Sequence, residues 1–208
     1  MAKCVSKCKY TAVLVMIVAG AMTAGCATVG DQRVDILYRS SANATGGSGD
    51  LYLVQEAQAP SGGTTPIQWI IGDITNKDGE KVANIVTDMA PADLLASAFD
   101  QELKTAGYNV LHVDSMPGDA VKGLDLKSVS IKMEEKKSLI EVNATCRVKI
   151  SVEPWRNGKA VNKLDYEAEY TDSSVTDRDE IVSKTMAKAL QTIMARSVPD
   201  IIKTLEQQ

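Results

Sequence analysis

His112 is the only histidine in the 208 residues, so a Ser-His-Asp relay could be built only around it, and metal sites needing several imidazoles are excluded. It lies in the run Tyr108 to Val113, where it alternates outward from apolar neighbours on a strand, a position that suits a structural or solvent-exposed ring better than a catalytic one. Cys146 falls on the apolar face of a second strand. A thiol there acts as a small hydrophobe, and no neighbour in sequence would lower its pKa. The carboxylates of Glu134, Glu135, Glu167, Glu169, Asp172, Asp177, Asp179 and Glu180 could hold a cation or form an acid pair, but they lack EF-hand spacing and fit solvated strand ends. Gly72-Asp73 and the Gly-rich loops precede no helix with phosphate-cradle spacing. These residues imply no enzyme, no cofactor and no metal.

Cys26 is different, because its surroundings specify a reaction. Lys3, Lys7 and Lys9 form a positive start, and Tyr10 to Met22 an apolar stretch too short to span a bilayer comfortably, so residues 1–25 read as a secretory signal peptide. Met22-Thr23-Ala24-Gly25-Cys26 resembles the bacterial lipobox, with Thr23 where Leu is usual. Small residues let the chain enter a peptidase groove, and the thiol takes the lipid. Each buried CH₂ contributes about 0.8 kcal/mol, so two or three palmitate-like chains on Cys26 would hold the protein to a leaflet effectively permanently. Ala27, rather than an aspartate, follows the cysteine. By resemblance to enterobacterial sorting, that implies the outer membrane, with the domain facing the periplasm.

Loss of Lys3, Lys7 and Lys9, with no acid among residues 1–25, changes 23 basic and 27 acidic residues into 20 and 27, a mature net charge of −7. A nucleic-acid partner is thereby disfavoured. Cys4 and Cys8 leave with the signal and Cys26 is lipidated, so Cys146 has no intramolecular disulfide partner. The fold must therefore rest on its core. Roughly 160 residues after the tether suffice for one domain, and with 1 Phe, 2 Trp and 6 Tyr that core is mainly aliphatic.

The elements follow from periodicity and punctuation. Residues 26–50 read as the lipidated cysteine and a flexible tether, with a short strand over Arg33 to Tyr38, and residues 51–208 as a single domain. Ser40 to Gly49 and Ala59 to Pro66 are loops, and Leu51 to Glu56 a short strand between them. Ile67 to Ile74 and Lys81 to Thr87 form a hairpin about Asn76-Lys77-Asp78-Gly79. A helix is expected from Pro91 to Ala106, with Pro91 at its start, Asp93 in its first turn and Gly107 at its end. Its stripe is Leu94, Leu95, Ala98, Phe99, Leu103 and Ala106. Tyr108 to Val113 follows as a strand. In Gly123 to Glu134 the apolar phase slips, which predicts a bulge near Lys127-Ser128. Ser138 to Glu153 alternates strictly, from Ile140 to Val152, and Leu164 to Tyr170 continues the pattern. Both inward sets fall on even numbers, so a plain two-residue loop at Asn157-Gly158 is excluded and an odd loop with a G1-type bulge expected. Arg147 and Lys149 should then face Asp165, Glu167 or Glu169. A last helix begins near Asp177, capped by Asp177 or Thr176, and Pro199 should kink or restart it.

These elements specify an α+β fold, a mainly antiparallel sheet with two amphipathic helices on one face. The helix Asp93 onward running into Leu103-Lys104-Thr105-Ala106-Gly107-Tyr108-Asn109-Val110, then the alternating strands and terminal helix behind a lipobox, resembles the YajG-like family of bacterial lipoproteins. More distantly the order resembles the auxiliary lipoproteins of ABC-type lipid transporters and LptE. The resemblance carries no catalytic residues. It implies a small α+β domain with helices on one sheet face; the lipid anchor joined to such a domain without a catalytic constellation points to an outer-membrane-anchored, non-enzymatic adaptor or structural component of an envelope assembly, with a protein partner or a second copy of the chain. Trp155, Ile201, Ile202 and Leu205 are the candidate contact residues. One alternative is an accessory subunit or carrier in lipid transport, with an apolar groove between Leu95, Phe99 and the Met186 to Met194 stripe. A ligand-binding or hydrolytic lipoprotein, resting on His112 and Cys146, is the third reading.

Overall fold

Along one strand Val142, Ala144, Cys146, Val148, Ile150 and Val152 are buried, while Arg147 and Lys149 between them are exposed. That alternation defines a sheet with one covered and one solvated face. The computed structural model describes residues 30–55, 68–177 and 180–207. In chain order the elements are β1 (Gln32–Arg33), β2 (Asp50–Gln55), β3 (Trp69–Thr75), β4 (Lys81–Thr87), α1 (Pro91–Ala106), β5 (Asn109–Val113), β6 (Lys122–Lys137), β7 (Val142–Arg156), β8 (Lys159–Ala160), β9 (Leu164–Ser174) and α2 (Ile181–Glu206). Cys26 and the expected loop over residues 59–66 lie outside the described residues.

β6 organises the sheet. One of its edges pairs antiparallel with β7 over its whole length, and β9 adds antiparallel beyond β7. The other edge takes two parallel strands end to end, β2 against residues 123–126 and β3 against residues 133–136. β5 extends the first arm in parallel with β2, whereas β4 and then β1 extend the second. α1 packs on β6, β2 and β5, and α2 on β7, β9 and β6, so one aliphatic core is enclosed between helices and sheet. The expected α+β class is observed, in a sheet whose longest pairings are antiparallel and to which β2 and β3 add in parallel.

Local signals account for α1. Pro91 occupies its start, Asp93 its first turn, and Gly107 at φ 114° its end, with the Gly107 amide donating to Lys104 O and the Tyr108 amide to Leu103 O, each at 3.1 Å. The β6 bulge falls where the phase slips: Leu126 pairs Val152 but Ser128 pairs Ser151, leaving Lys127 as the extra residue. Asn76 Oδ1 pins the β3–β4 turn by accepting from the amides of Asp78 and Glu80 at 2.9 and 3.0 Å, and Gly79 supplies its positive φ of 84°.

The β7–β9 connection differs from expectation. Trp155 pairs Ala160 and Arg156 pairs Lys159 across a two-residue loop, with Asn157 and Gly158 at φ 52° and 72°, as a type I′ turn requires. The parity is corrected further on. The Val161 amide still donates to Pro154 O at 2.9 Å, but Val152 pairs Leu164, so Asn162 and Lys163 together face Glu153. The solvated rungs then form as expected, Arg147 opposite Glu169 and Lys149 opposite Glu167, with Lys149 Nζ 3.0 Å from the Glu167 carboxylate.

Other expectations shift at the ends of elements. Asp31 begins a compact unit in which Val34 and Tyr38 are buried, so residues 31–50 belong to the domain and not to a tether. Of the expected first strand, Arg33 to Tyr38, only Arg33 lies in the observed strand Gln32–Arg33, although the alternation of Val34, Ile36 and Tyr38 persists. Ile140 sits on the β6–β7 turn rather than on the inward face of β7. α2 starts at Ile181 without a side-chain cap, while Lys184 bridges Asp177 and Glu180 at 3.6 and 3.0 Å. It also continues through Pro199 without a restart, because burial of Val198, Ile201 and Ile202 outweighs one missing helix hydrogen bond.

Candidate functional site

Glu102 stands on the apolar stripe of α1, one turn from Ala98, Phe99 and Ala106, and is buried with them. It is satisfied from 60 residues away. Its carboxylate accepts the Ser41 amide at 2.7 Å, the Ala42 amide at 3.1 Å, the Ser40 hydroxyl at 2.7 Å, and the Tyr38 hydroxyl. Burial pushes the carboxyl upward, but the bonds from Tyr38, Ser41, Ser40 and Ala42 outweigh it and hold the group below the usual carboxylate range. The Tyr38 phenol is pushed up by burial and by the adjoining carboxylate. This clamp fastens the Ser-rich segment after β1 onto α1. A sequence signal existed, since a charged residue on an apolar helical stripe needs a partner.

A second carboxylate joins the far ends of the helices. Glu206, in the last turn of α2, accepts Tyr108 Oη at 2.7 Å and Lys122 Nζ at 2.6 Å, and Lys122 also donates to Ser48 O at 2.9 Å. Both carboxylates build the fold rather than present a reactive group to a cavity.

The residues singled out for chemistry do not converge. His112 Nε2 lies 2.9 Å from Asp100 Oδ1 on the surface, and Lys104 shares that carboxylate at 2.8 Å. Cys146 is fully buried in the core, and burial pushes its thiol up to about 12. Among the described residues no group of His, Cys, Asp and Glu is placed to hold a metal, and no helix is long and apolar enough to cross a membrane.

The contact candidates also separate. Ile201, Ile202 and Leu205 are buried and close the core, so they offer no surface patch. Trp155 is half-buried near the hairpin tip, its backbone paired with Gly123 on one side and Ala160 on the other. Trp69 is half-buried on β3. Leu95, Phe99 and the stripe from Met186 to Met194 are fully buried in the common core. The described cavities lie elsewhere. An open cleft of about 460 Å³ separates Ile36 and Leu37 from Met89 and Leu94 at the start of α1, and shallower ones of about 410 and 350 Å³ lie beside Lys122 and between β7 and β9.

No family model matches this chain. No curated protein matches it in sequence either. Solved structures do align with it. A Xanthomonas campestris protein of the DUF330 family is 12% identical, with a TM-score of 0.47 over 83% of this chain and 94% of that one. A minor lipoprotein from Acinetobacter baumannii is 11% identical, with a TM-score of 0.38 over 64% and 90%. The rare lipoprotein B from Shewanella oneidensis is 13% identical, with a TM-score of 0.27 over 64% and 89%. The functional reading accordingly rests on the chain's own residues.

In the described residues several surfaces are open, the outer edge of β5 among them. The sheet face opposite the helices carries the Arg147, Lys149, Glu167 and Glu169 rungs. The outer edge of β9 has no strand partner among the described residues and is crossed by Arg196, whose guanidinium donates to Glu167 O at 3.3 Å.

Proposed function

We propose that this protein is a lipoprotein of the bacterial envelope, non-enzymatic, anchored through Cys26 to the periplasmic face of the outer membrane and acting as an adaptor or structural component of an assembly there. The observation that carries the reading is the short distance in sequence between anchor and fold. Only residues 27–30 separate Cys26 from Asp31, where the compact unit begins. Five residue steps span at most about 17 Å, so acylation at Cys26 would keep the domain against the leaflet. The order of its elements supports kinship with the YajG-like lipoproteins.

The partner is an envelope protein or a second copy of the chain. The outer edge of β9 is its docking place: apart from Glu167 O, which Arg196 occupies, backbone donors and acceptors there can add a strand, and the alternating acids Asp165, Glu167 and Glu169 select what approaches. Gentle crosslinking of the lipidated protein in its native envelope, followed by pull-down and mass spectrometry, tests this. A stoichiometric protein crosslinked through β9 is the expected result. Enriched lipid with no protein partner would overturn the adaptor reading in favour of lipid transport.

A further inference from the structure

Leu139 and Ile140 are adjacent, 87% and 74% exposed, and occupy the tip of the β6–β7 hairpin. The tip is held stiffly. The Ser138 amide and hydroxyl donate to Glu141 O at 2.9 and 2.7 Å, and the Glu141 amide donates back to Ser138 Oγ at 2.9 Å. Val175, 59% exposed, follows the end of β9 at the same end of the sheet, because Ser174 pairs with Val142.

The strand registers place the entry of the chain at that end too. β1 runs parallel to β4 with Gln32 level with Ile85, and Ile85 is level in turn with Gly72 of β3 and Met133 of β6. The chain preceding Gln32 therefore heads toward the Lys137 end of β6, and Asp31 has already advanced to Asn84, whose amide donates to it at 2.9 Å. From that level to Lys137 is three residues, about 10 Å, and the turn lies just beyond. Cys26 precedes Asp31 by five residues, about 17 Å when extended. A link of that length is enough for an acylated Cys26 and the tip to meet one leaflet.

We propose that the β6–β7 tip inserts Leu139 and Ile140 into the lipid leaflet that carries the acylated Cys26, fixing the orientation of the domain on the membrane. This rests on the lipid-anchored reading above. Lipid fits better than a protein partner because the two aliphatic side chains stand on a four-residue turn just beyond the last paired rung, Lys137 with Val142, where a fluid apolar phase can receive them. Charges of both signs adjoin the tip, Lys136 and Lys137 before it and Glu141 after it, with Lys77, Asp78 and Glu80 on the β3–β4 turn at the same end of the sheet, so the apolar pair carries the insertion.

The test uses mature protein purified from its native envelope and reconstituted in phosphatidylcholine vesicles with and without brominated acyl chains. It compares Leu139→Trp with Val161→Trp, a control on the opposite end of the sheet; half-buried Trp69 and Trp155 give a common background. The indole introduced by Leu139→Trp should be quenched and blue-shifted, and that from Val161→Trp unchanged from unbrominated vesicles. Equal quenching at the two positions overturns the proposal. So does an unquenched tip that instead crosslinks to protein in the native envelope. The mass of the N-terminal peptide reads the anchor separately: an acylated Cys26 with an unquenched tip removes the tip proposal alone, whereas an unmodified Cys26 removes both.

Discussion

Tyr108 Oη donates to Glu206 Oε1 at 2.7 Å, joining the residue after the α1 cap to the last turn of α2 across 98 positions of sequence. Lys122 at the start of β6 shares that carboxylate at 2.6 Å and reaches Ser48 O, so four separate parts of the chain meet at one group. Burial raises the Glu206 carboxyl, and the Lys122 and Tyr108 bonds outweigh it and hold it below its ordinary value. Tyr108→Phe should cost about 1 kcal/mol in urea unfolding, and Glu206→Ala, which removes the acceptor, about 1 to 2 kcal/mol. Combined, they should cost clearly less than the sum, because both remove the same bond. Strict additivity would show that the contact is not formed in solution.

Glu102 should matter more. Loss of a buried carboxylate that satisfies two backbone amides and two hydroxyls leaves those donors stranded, so Glu102→Ala is expected to cost about 3 kcal/mol. Loss of protection from hydrogen exchange at Ser41 and Ala42 should accompany it. A change within the error of the unfolding curve would refute the clamp.

The same carboxylate makes stability depend on pH in one direction. Its pKa is lower in the fold than in the unfolded chain, so the unfolded state binds the proton more readily. The stabilisation is full above the unfolded carboxylate value of about 4.3 and disappears as pH falls through the folded value. Unfolding midpoints of the native protein should decline below about pH 5, and those of Glu102→Gln should decline less steeply. Parallel curves would exclude Glu102 as a contributor.

Cys146 should be chemically silent. With its thiol pushed up to about 12 by burial, iodoacetamide at mildly alkaline pH should leave its peptide unmodified in the folded protein and alkylate it only after denaturation. Rapid modification of the native chain, read by peptide mass spectrometry, would contradict the fold.

Gly72 is needed where β3 meets β6. A Cβ at Gly72 would lie 2.0 Å from Met133 O, whereas one at Gly118 would meet no atom within 4 Å. Gly72→Ala should therefore cost about 3 kcal/mol or part β3 from β6, with Gly118→Ala near neutral as the control. Comparable unfolding midpoints for the two variants would count against the parallel β3–β6 pairing.

Elements whose signals are local were legible. Pro91 and Gly107 bracket α1 within its own turns, the slip of phase locates the Lys127 bulge, and even-numbered inward residues set the register of β7 and β9. Where a correction is inserted was not legible. Parity demands one extra residue between the strands, but Asn157-Gly158 suits a type I′ turn so well that the offset moves to Asn162 and Lys163. That α2 does not restart at Pro199 was not legible for a related reason: the local cost of the proline is fixed, while the compensating burial of α2 is tertiary.

By itself the sequence determined the α+β class, the helix covering the sheet, the long antiparallel meander and the lack of a histidine-based metal site, because periodicity, capping and composition act over a few residues. The tertiary structure alone decided that β6 takes β2 and β3 end to end in parallel, and that Glu102 receives Ser41 from across the chain. It also decided that Ile201, Ile202 and Leu205 close the core while Leu139 and Ile140 stand free. Pairings between distant segments depend on which buried surfaces and unsatisfied polar groups fit together at once, and no window of neighbouring residues contains that information.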